Sequence, residues 1–176
     1  MDRLVNGYAG YKLFRCPLII IDFGTATTFD LISGDGAYMG GIIIPGIKIS
    51  LEALNLKTAQ LPKIYPDKPS ALIGRSTIES IRSGGYYGYI CMINGLIDML
   101  KQDLSEKYHF APDAVKVIAT GGFSHKLHKE IKKFDEILYD LTLFALLGNI
   151  SAFETDDNSE TLESFFEQLM SLNILP

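Results

Sequence analysis

The 176 residues include no tryptophan, two cysteines and three histidines. Cys16 and Cys91 stand far apart, without Cys-x-x-Cys spacing, which excludes a disulfide frame and a zinc knuckle. Their apolar surroundings predict buried thiols in a reducing compartment. His109, His125 and His128 have no mutual ligand spacing and read as surface residues. No Ser–His–Asp or Cys–His set follows from spacing. No apolar run reaches the roughly 18 residues of a membrane span, and the opening Met1-Asp2-Arg3-Leu4-Val5 lacks the apolar core of a signal peptide. The expected location is cytoplasmic. Lys and Arg number 16 against 21 Asp and Glu, a formal charge of -5. The basic footprint of a nucleic-acid binder is therefore missing, and so is attraction to an anionic membrane. Neither nucleic acid nor a membrane is expected as a partner. A Gly-x-x-x-x-Gly-Lys-Ser/Thr motif is absent, which excludes a P-loop.

What remains is a globular composition, 47% hydrophobic and 21% charged, in a chain long enough for one domain with its own core. Leu4, Val5, Tyr8 and Tyr11 predict a helix from Arg3 to Phe14, ended by Pro17. Leu18 to Ile21 is a continuous aliphatic run closing on Asp22, the pattern of a buried strand with polar groups at its carboxyl end. Phe29–Ile32 and Ala37–Ile44, separated by Ser33-Gly34-Asp35-Gly36, complete an antiparallel meander. Ile49, Leu51, Leu54, Leu56 and Leu61 flank an amphipathic helix. Pro62, Pro66 and Pro69 mark a loop.

Ser76-Thr77 opens a long helix with Glu79 in its first turn. Inside it Gly84, Gly85, Gly88 and Gly95 each cost up to about 1 kcal/mol relative to Ala, which suggests close packing against another backbone, including that of a second subunit. Val115–Ala119 reads as a strand, Ser124–Lys133 as a basic helix and Leu141–Ala152 as a further helix. An acidic stretch, Glu154 to Glu160, and an amphipathic segment, Leu162 to Leu172, close the chain. The fold class expected is α/β with a mixed sheet flanked by helices.

The sharpest chemical signal is Asp22-Phe23-Gly24-Thr25-Ala26-Thr27-Thr28. A strand ends in a carboxylate, Gly24 lets backbone amides approach a ligand, and three threonine hydroxyls follow. Amides and hydroxyls can cradle an anion while the carboxylate holds a cation beside it. The bland alternative is a hairpin turn capped by Asp22 and Thr25. Thr120-Gly121-Gly122 is a second glycine turn at a strand end, either room for adenosine or an ordinary βα turn. Gly40-Gly41 and Pro45-Gly46 could let a substrate lie flat on the chain, or could simply bend a strand end. Asp2-Arg3 pairs a potential base with a potential anion clamp; from composition alone it is an exposed terminal ion pair.

Together these residues resemble the type III pantothenate kinase family, of the acetate and sugar kinase/Hsp70/actin superfamily. The resemblance rests on ordered blocks. They are Asp2-Arg3 with Asn6 and Tyr8, Leu18 to Thr28, Tyr38-x-Gly40-Gly41-x-Ile43-x-Pro45-Gly46, and Leu51-Glu52-Ala53-Leu54. Ile73-Gly74-Arg75-x-Thr77, Gly84-x-x-Tyr87-Gly88-Tyr89 and Ala119-Thr120-Gly121-Gly122 follow. It implies an actin-like ATPase (ribonuclease H-like) half-domain and ATP-dependent phosphorylation of pantothenate to 4'-phosphopantothenate, the first step of coenzyme A synthesis. It implies Asp2 as general base, with Arg3 and Thr77 holding pantothenate. Gly24, Thr25, Gly121 and Gly122 would contact ATP, and Asp22 would bind a monovalent cation, K+ or NH4+. Mg2+ is implied for the complete enzyme, and a homodimer through the helix from Ser76 to Leu104 is expected.

The blocks cover residues 2 to about 148. Residues 1–149 therefore read as the carboxyl-terminal lobe of such a kinase, and 150–176 as a divergent acidic and amphipathic tail. The family's first phosphate motif, Asp-x-Gly-Asn, has no counterpart here, Met1 stands inside the Gly-x-Asp-Arg block, and Ala145 stands where a Gly is usual. The expectation is an ATP site lacking one wall, with little turnover by the chain alone. A truncated form, a split gene and a gene remnant all fit that pattern. The alternatives are a non-catalytic dimerising or regulatory accessory protein of the same family and, against the Gly40-Gly41 and Gly74 blocks, another sugar or acid kinase.

Overall fold

The computed structural model describes residues 2–57, 64–138 and Leu141. Helix α1 (Asp2–Phe14) leads into strand β1 (Leu18–Phe23), followed by β2 (Ala26–Ile32), β3 (Tyr38–Pro45) and helix α2 (Ile47–Lys57). A long helix α3 (Thr77–Tyr108) and a single 3-10 turn (Pro112–Ala114) precede β4 (Lys116–Thr120), α4 (Ser124–Leu127) and β5 (Glu136–Ile137). The five strands form one mixed sheet in the order β3-β2-β1-β4-β5. The first three are the expected antiparallel meander, while β4 is parallel to β1 and β5 to β4.

Both faces of the sheet are covered, which explains why β1 is a continuous aliphatic run rather than an alternating one. Leu18, Ile19, Ile20 and Ile21 have no exposure at all. Leu18, Ile20, Ile32 and Ile118 pack with Ala9 on the α1 side. Ile19, Ile21, Phe29, Val117 and Ala119 meet Tyr89, Ile93 and Ile97 of α3 on the other. Helix α1 lies flat because of Gly7 and Gly10. A Cβ at Gly7 would stand 2.6 Å from Ile32 Cδ1, and one at Gly10 2.8 Å from Ile20 Cδ1. Ser76 caps α3 as its composition predicts, its Oγ accepting from the Glu79 N–H at 3.3 Å. The helix then runs past Leu104 to a left-handed C-cap at His109, φ 57°.

Two expectations are corrected. The basic helix predicted over Ser124–Lys133 ends after one turn, at Leu127. Tertiary ties win there: Leu127 and Ile131 both turn into the core, Lys133 pairs with Asp98 of α3, and Asp135 exchanges hydrogen bonds with Val117. Those last bonds bring in β5, a strand the sequence reading missed. Cys91 is exposed and Cys16 half-buried, against the expected buried thiols. Cys91 sits on the face of α3 opposite Ile90, Ile93 and Ile97, the buried residues of that helix. Leu61, Pro62, the acidic stretch, the final amphipathic segment and, save for Leu141, the helix expected over Leu141–Ala152 lie outside the described residues. Among the described residues no helix is long and apolar enough to cross a membrane.

Ile93 has no exposure and Met92 beside it is 39% exposed. Ile93→Ala should cost about 2–5 kcal/mol, read as a lower urea midpoint at unchanged slope. Met92→Ala should stay within about 0.5 kcal/mol of the unmodified chain.

Candidate functional site

Parallel strands β1 and β4 end side by side, and the polar residues gather at that end. Asp22 lies in register with Thr28 on one neighbour and Thr120 on the other. Paired residues share a face, so the three form a polar row on the side that α1 covers. Asn6 of α1, 1% exposed, donates from Nδ2 to Asp22 Oδ2 at 3.4 Å. From the other side comes Gly121, at φ 86°, where a Cβ would stand 2.4 Å from Asp22 Oδ1 and 2.8 Å from the Phe23 N. The Phe123 N–H reaches the Phe23 carbonyl at 3.4 Å, and Ser124 Oγ closes the turn on the Gly121 carbonyl at 2.7 Å. The fold thus presses together two motifs that lie about 100 residues apart, the Asp22 loop and the Gly121-Gly122 turn. Crevices at the carboxyl ends of parallel strands are where open α/β sheets bind ligands.

Gly24 and Thr25 are exposed at the tip of the loop. The Gly24 N–H bonds the Ala26 carbonyl at 3.1 Å, and the Gly46 N–H bonds the Thr25 carbonyl at 3.1 Å. A Cβ on Gly46 would stand 2.4 Å from Thr25 O and 2.8 Å from Gly24 O. Pro45-Gly46 therefore supports the loop from below and starts α2. The other two hydroxyls face inward instead of forming the expected cradle of three. Thr27 bonds Tyr89 Oη of α3 in the core, and Thr28 Oγ1 donates to Asp30 Oδ2 at 2.9 Å. The alternation of a strand decides this: once the loop enters β2, successive side chains go to opposite buried faces. Burial pushes the Tyr89 phenol up, against the lowering effect of its bond to Thr27.

Arg3 turns inward to a buried carboxylate of β2. Its Nε donates to Asp30 Oδ1 at 2.6 Å, with the carboxylate fully buried and the Arg side chain 30% exposed. Tyr38 Oη donates to the same Oδ1 at 3.0 Å, and the guanidinium lies 5.7 Å from the Tyr38 ring centroid. Gly41 makes the room, since a Cβ there would stand 2.6 Å from Arg3 Nη2 and 2.0 Å from the Phe29 carbonyl. Sequence reasoning passed over Asp30 and gave Tyr38 no role; a lone Asp inside an apolar strand, Phe29-Asp30-Leu31, was the available signal. Asp2 is the first residue of α1; its side chain lies outside the described residues.

Thr77 opens α3 and is exposed. Its approach is shaped by Gly74, where a Cβ would stand 2.3 Å from the Ser80 N. The Arg75 N–H donates to Glu79 Oε2 at 2.7 Å. Among the described residues no hydrogen bond or ion pair joins Thr77 to Arg3 or to the Asp22 loop. Gly122 is exposed, with nothing within 4 Å of an added Cβ. No three His, Cys, Asp or Glu side chains cluster as a metal cage among the described residues. Asp22 is the carboxylate at this end of β1 that could hold a cation.

Residues 1–99 match the family model described as Type III pantothenate kinase. A type III pantothenate kinase of Paramagnetospirillum magneticum is 44% identical over 146 residues, covering 83% of this chain and 54% of the relative. One of Streptomyces coelicolor is 43% identical over 145 residues, 82% of this chain and 53% of the relative. The chain thus spans about half the length of the curated relatives it matches. A solved structure from Campylobacter jejuni, titled for the Baf family of transcriptional activators, aligns over 84% of this chain and 62% of that chain at 22% identity. The TM-score of that alignment is 0.49.

Burial first, then the Asp30 carboxylate, pushes the Tyr38 phenol up to about 12 from 10.0. A raised phenol is neutral in the fold while the unfolded chain already ionises. Its stabilising share is therefore complete below pH 10.0 and lost as pH rises toward 12. Tyr38→Phe should flatten the fall of stability across that window, measured as urea midpoints at successive pH values.

Proposed function

Since the chain belongs to the type III pantothenate kinase family, we propose that it acts in ATP-dependent phosphorylation of pantothenate to 4'-phosphopantothenate. The observation that carries the reading is the junction of the Asp22 loop, the Gly121-Gly122 turn and the first turns of α1 at one end of β1 and β4. Exposed Gly24 and Thr25 offer an amide and a hydroxyl to ATP phosphates, with the adenosine toward Gly121-Gly122. Asp22 holds the monovalent cation, K+ or NH4+, that offsets phosphate charge, and Mg2+ accompanies ATP. Asp2 takes the proton of the pantothenate hydroxyl as the hydroxyl oxygen bonds to the γ-phosphorus and the bond from that phosphorus to the β,γ-bridging oxygen breaks, releasing ADP. Arg3 and Thr77 hold the rest of pantothenate. The mixed sheet, with β3-β2-β1 antiparallel and β4 parallel to β1, supports the reading of residues 1–149 as the carboxyl-terminal lobe of an actin-like, ribonuclease H-like fold.

Phosphoryl transfer is stabilised from several sides of the reacting phosphate at once. The decisive assay therefore follows ATP-dependent phosphorylation of pantothenate by this chain alone and by the chain mixed with the separately expressed amino-terminal half of a curated relative. Turnover in either format supports the kinase reading, with the mixture expected to be the faster. Absence in both overturns it in favour of a non-catalytic, dimerising or regulatory member of the family. Asp22→Asn should weaken ATP binding and abolish any preference for potassium over sodium; equal affinity with either ion, before and after the substitution, removes Asp22 from the site.

The same reading includes a homodimer through α3. Gly84, Gly88 and Gly95 are exposed and, among the described residues, a Cβ on any of them meets nothing within 4 Å, whereas Gly85 makes room for Leu51 of α2. With Cys91 the three form a small-residue face, bordered by the exposed Met92, on which a second helix can lie close. Replacing Gly84 and Gly88 by Leu should raise the stability of the monomer, by up to about 1 kcal/mol per site from helix propensity, while shifting sedimentation toward monomer. A wild type that sediments as a monomer rules the interface out.

A further inference from the structure

Asp30 has no exposure to water, and an ionised carboxylate so placed needs its acceptor positions filled. Three donors fill them. Arg3 Nε and Tyr38 Oη share Oδ1 at 2.6 and 3.0 Å, and Thr28 Oγ1 holds Oδ2 at 2.9 Å. The carboxylate is thereby fixed from two strands, and it fixes the guanidinium in turn. Arg3 is held at Nε, laid toward the Tyr38 ring and stopped at Nη2 by the bare backbone of Gly41. Among the described residues Nε makes the only hydrogen bond of this guanidinium. Its outer edge is left to an incoming anion, and the side chain keeps 30% exposure.

We propose that Asp30 is a positioning residue, which locks Arg3 through Nε so that the remaining guanidinium donors present a preset fork to the substrate carboxylate. A planar fork loses little freedom on binding when it is already immobilised. A lysine, with no Nε–H to anchor, could not be held in this way. The inference rests on the reading of Arg3 as the pantothenate clamp.

The test is calorimetric binding of pantothenate, and separately of ATP, to the full chain. Arg3→Gln probes the clamp; Asp30→Asn, and Thr28→Val as a milder variant that leaves the carboxylate in place, probe the positioning. Asp30→Asn should weaken pantothenate about tenfold, the scale of one lost charge-assisted hydrogen bond, and leave ATP affinity unchanged. Thr28→Val should act in the same direction and less. Asp30→Asn combined with Arg3→Gln should bind no worse than Arg3→Gln alone, because Asp30 acts through Arg3.

If Arg3→Gln weakens pantothenate while Asp30→Asn and Thr28→Val do not, the inference falls and the clamp stands. Multiplying losses in the double variant, or parallel loss of ATP affinity, also overturn it by making Asp30 merely structural. Pantothenate binding that is absent in the unmodified chain, or untouched by Arg3→Gln, overturns the clamp reading and this inference with it.

Discussion

The face of the sheet that α1 covers is not wholly apolar, and that constrains much of the rest. Asp30 lies within it fully buried, and Asp22, Thr28 and Thr120 form a polar row at its end. Burying such groups is costly unless each finds a partner. The covering helix therefore has to bring donors, and α1 brings Arg3 to Asp30 and Asn6 to Asp22. It must also lie close enough for those reaches to work, which Gly7 and Gly10 allow against Ile32 and Ile20. Helix placement, sheet polarity and the position of the candidate site are thus one arrangement. Removing the guanidinium of Arg3 would leave the buried Asp30 carboxylate without its counter-ion, at a cost on the order of 3–5 kcal/mol.

The neighbouring glycines obey the same constraint in another form. Gly41, Gly46 and Gly121 each stand where a Cβ would strike a backbone atom of a neighbouring segment within 3 Å. Backbone cannot swing aside as the end of a side chain can. Gly46 supports the loop carbonyls, Gly121 admits the second turn against Asp22, and Gly41 seats Arg3. Their spacing along the sequence looks like strand punctuation, and their common purpose emerges only where the chain folds back on itself.

How much could be read from the sequence follows from the range of the interactions involved. β1, the meander, the Ser76 cap and the long helix are written in local pattern, because a run such as Leu18–Ile21 or a Ser three residues before Glu79 depends on near neighbours. The end of α4 and the existence of β5 are not. Lys133 meets Asp98, and Asp135 meets Val117, across separations that periodicity does not encode. The Asp22 loop was legible as chemistry, but the inward turn of Thr27 and Thr28 depended on which faces α3 and α1 would cover. Arg3 was legible as a candidate only through resemblance to a family. Its partner is 27 residues away on β2, and an Asp amid apolar neighbours announces that a partner exists without naming it.

Helix α3 carries the two kinds of glycine side by side. Gly85 is required by Leu51, whose Cδ2 would lie 2.5 Å from an added Cβ. Among the described residues nothing within reach requires Gly84, Gly88 or Gly95, yet each lowers helix propensity by up to about 1 kcal/mol. Glycines on one stripe of a 32-residue helix are thus a cost that packing among the described residues does not explain. The opposite stripe, Tyr86, Tyr89, Ile90, Ile93 and Ile97, is apolar in the ordinary way, and through the Tyr89–Thr27 bond it reaches the strand that carries the Asp22 loop. The helix that carries the small-residue stripe is therefore tied, by one hydrogen bond, to the strand that begins at the Asp22 loop.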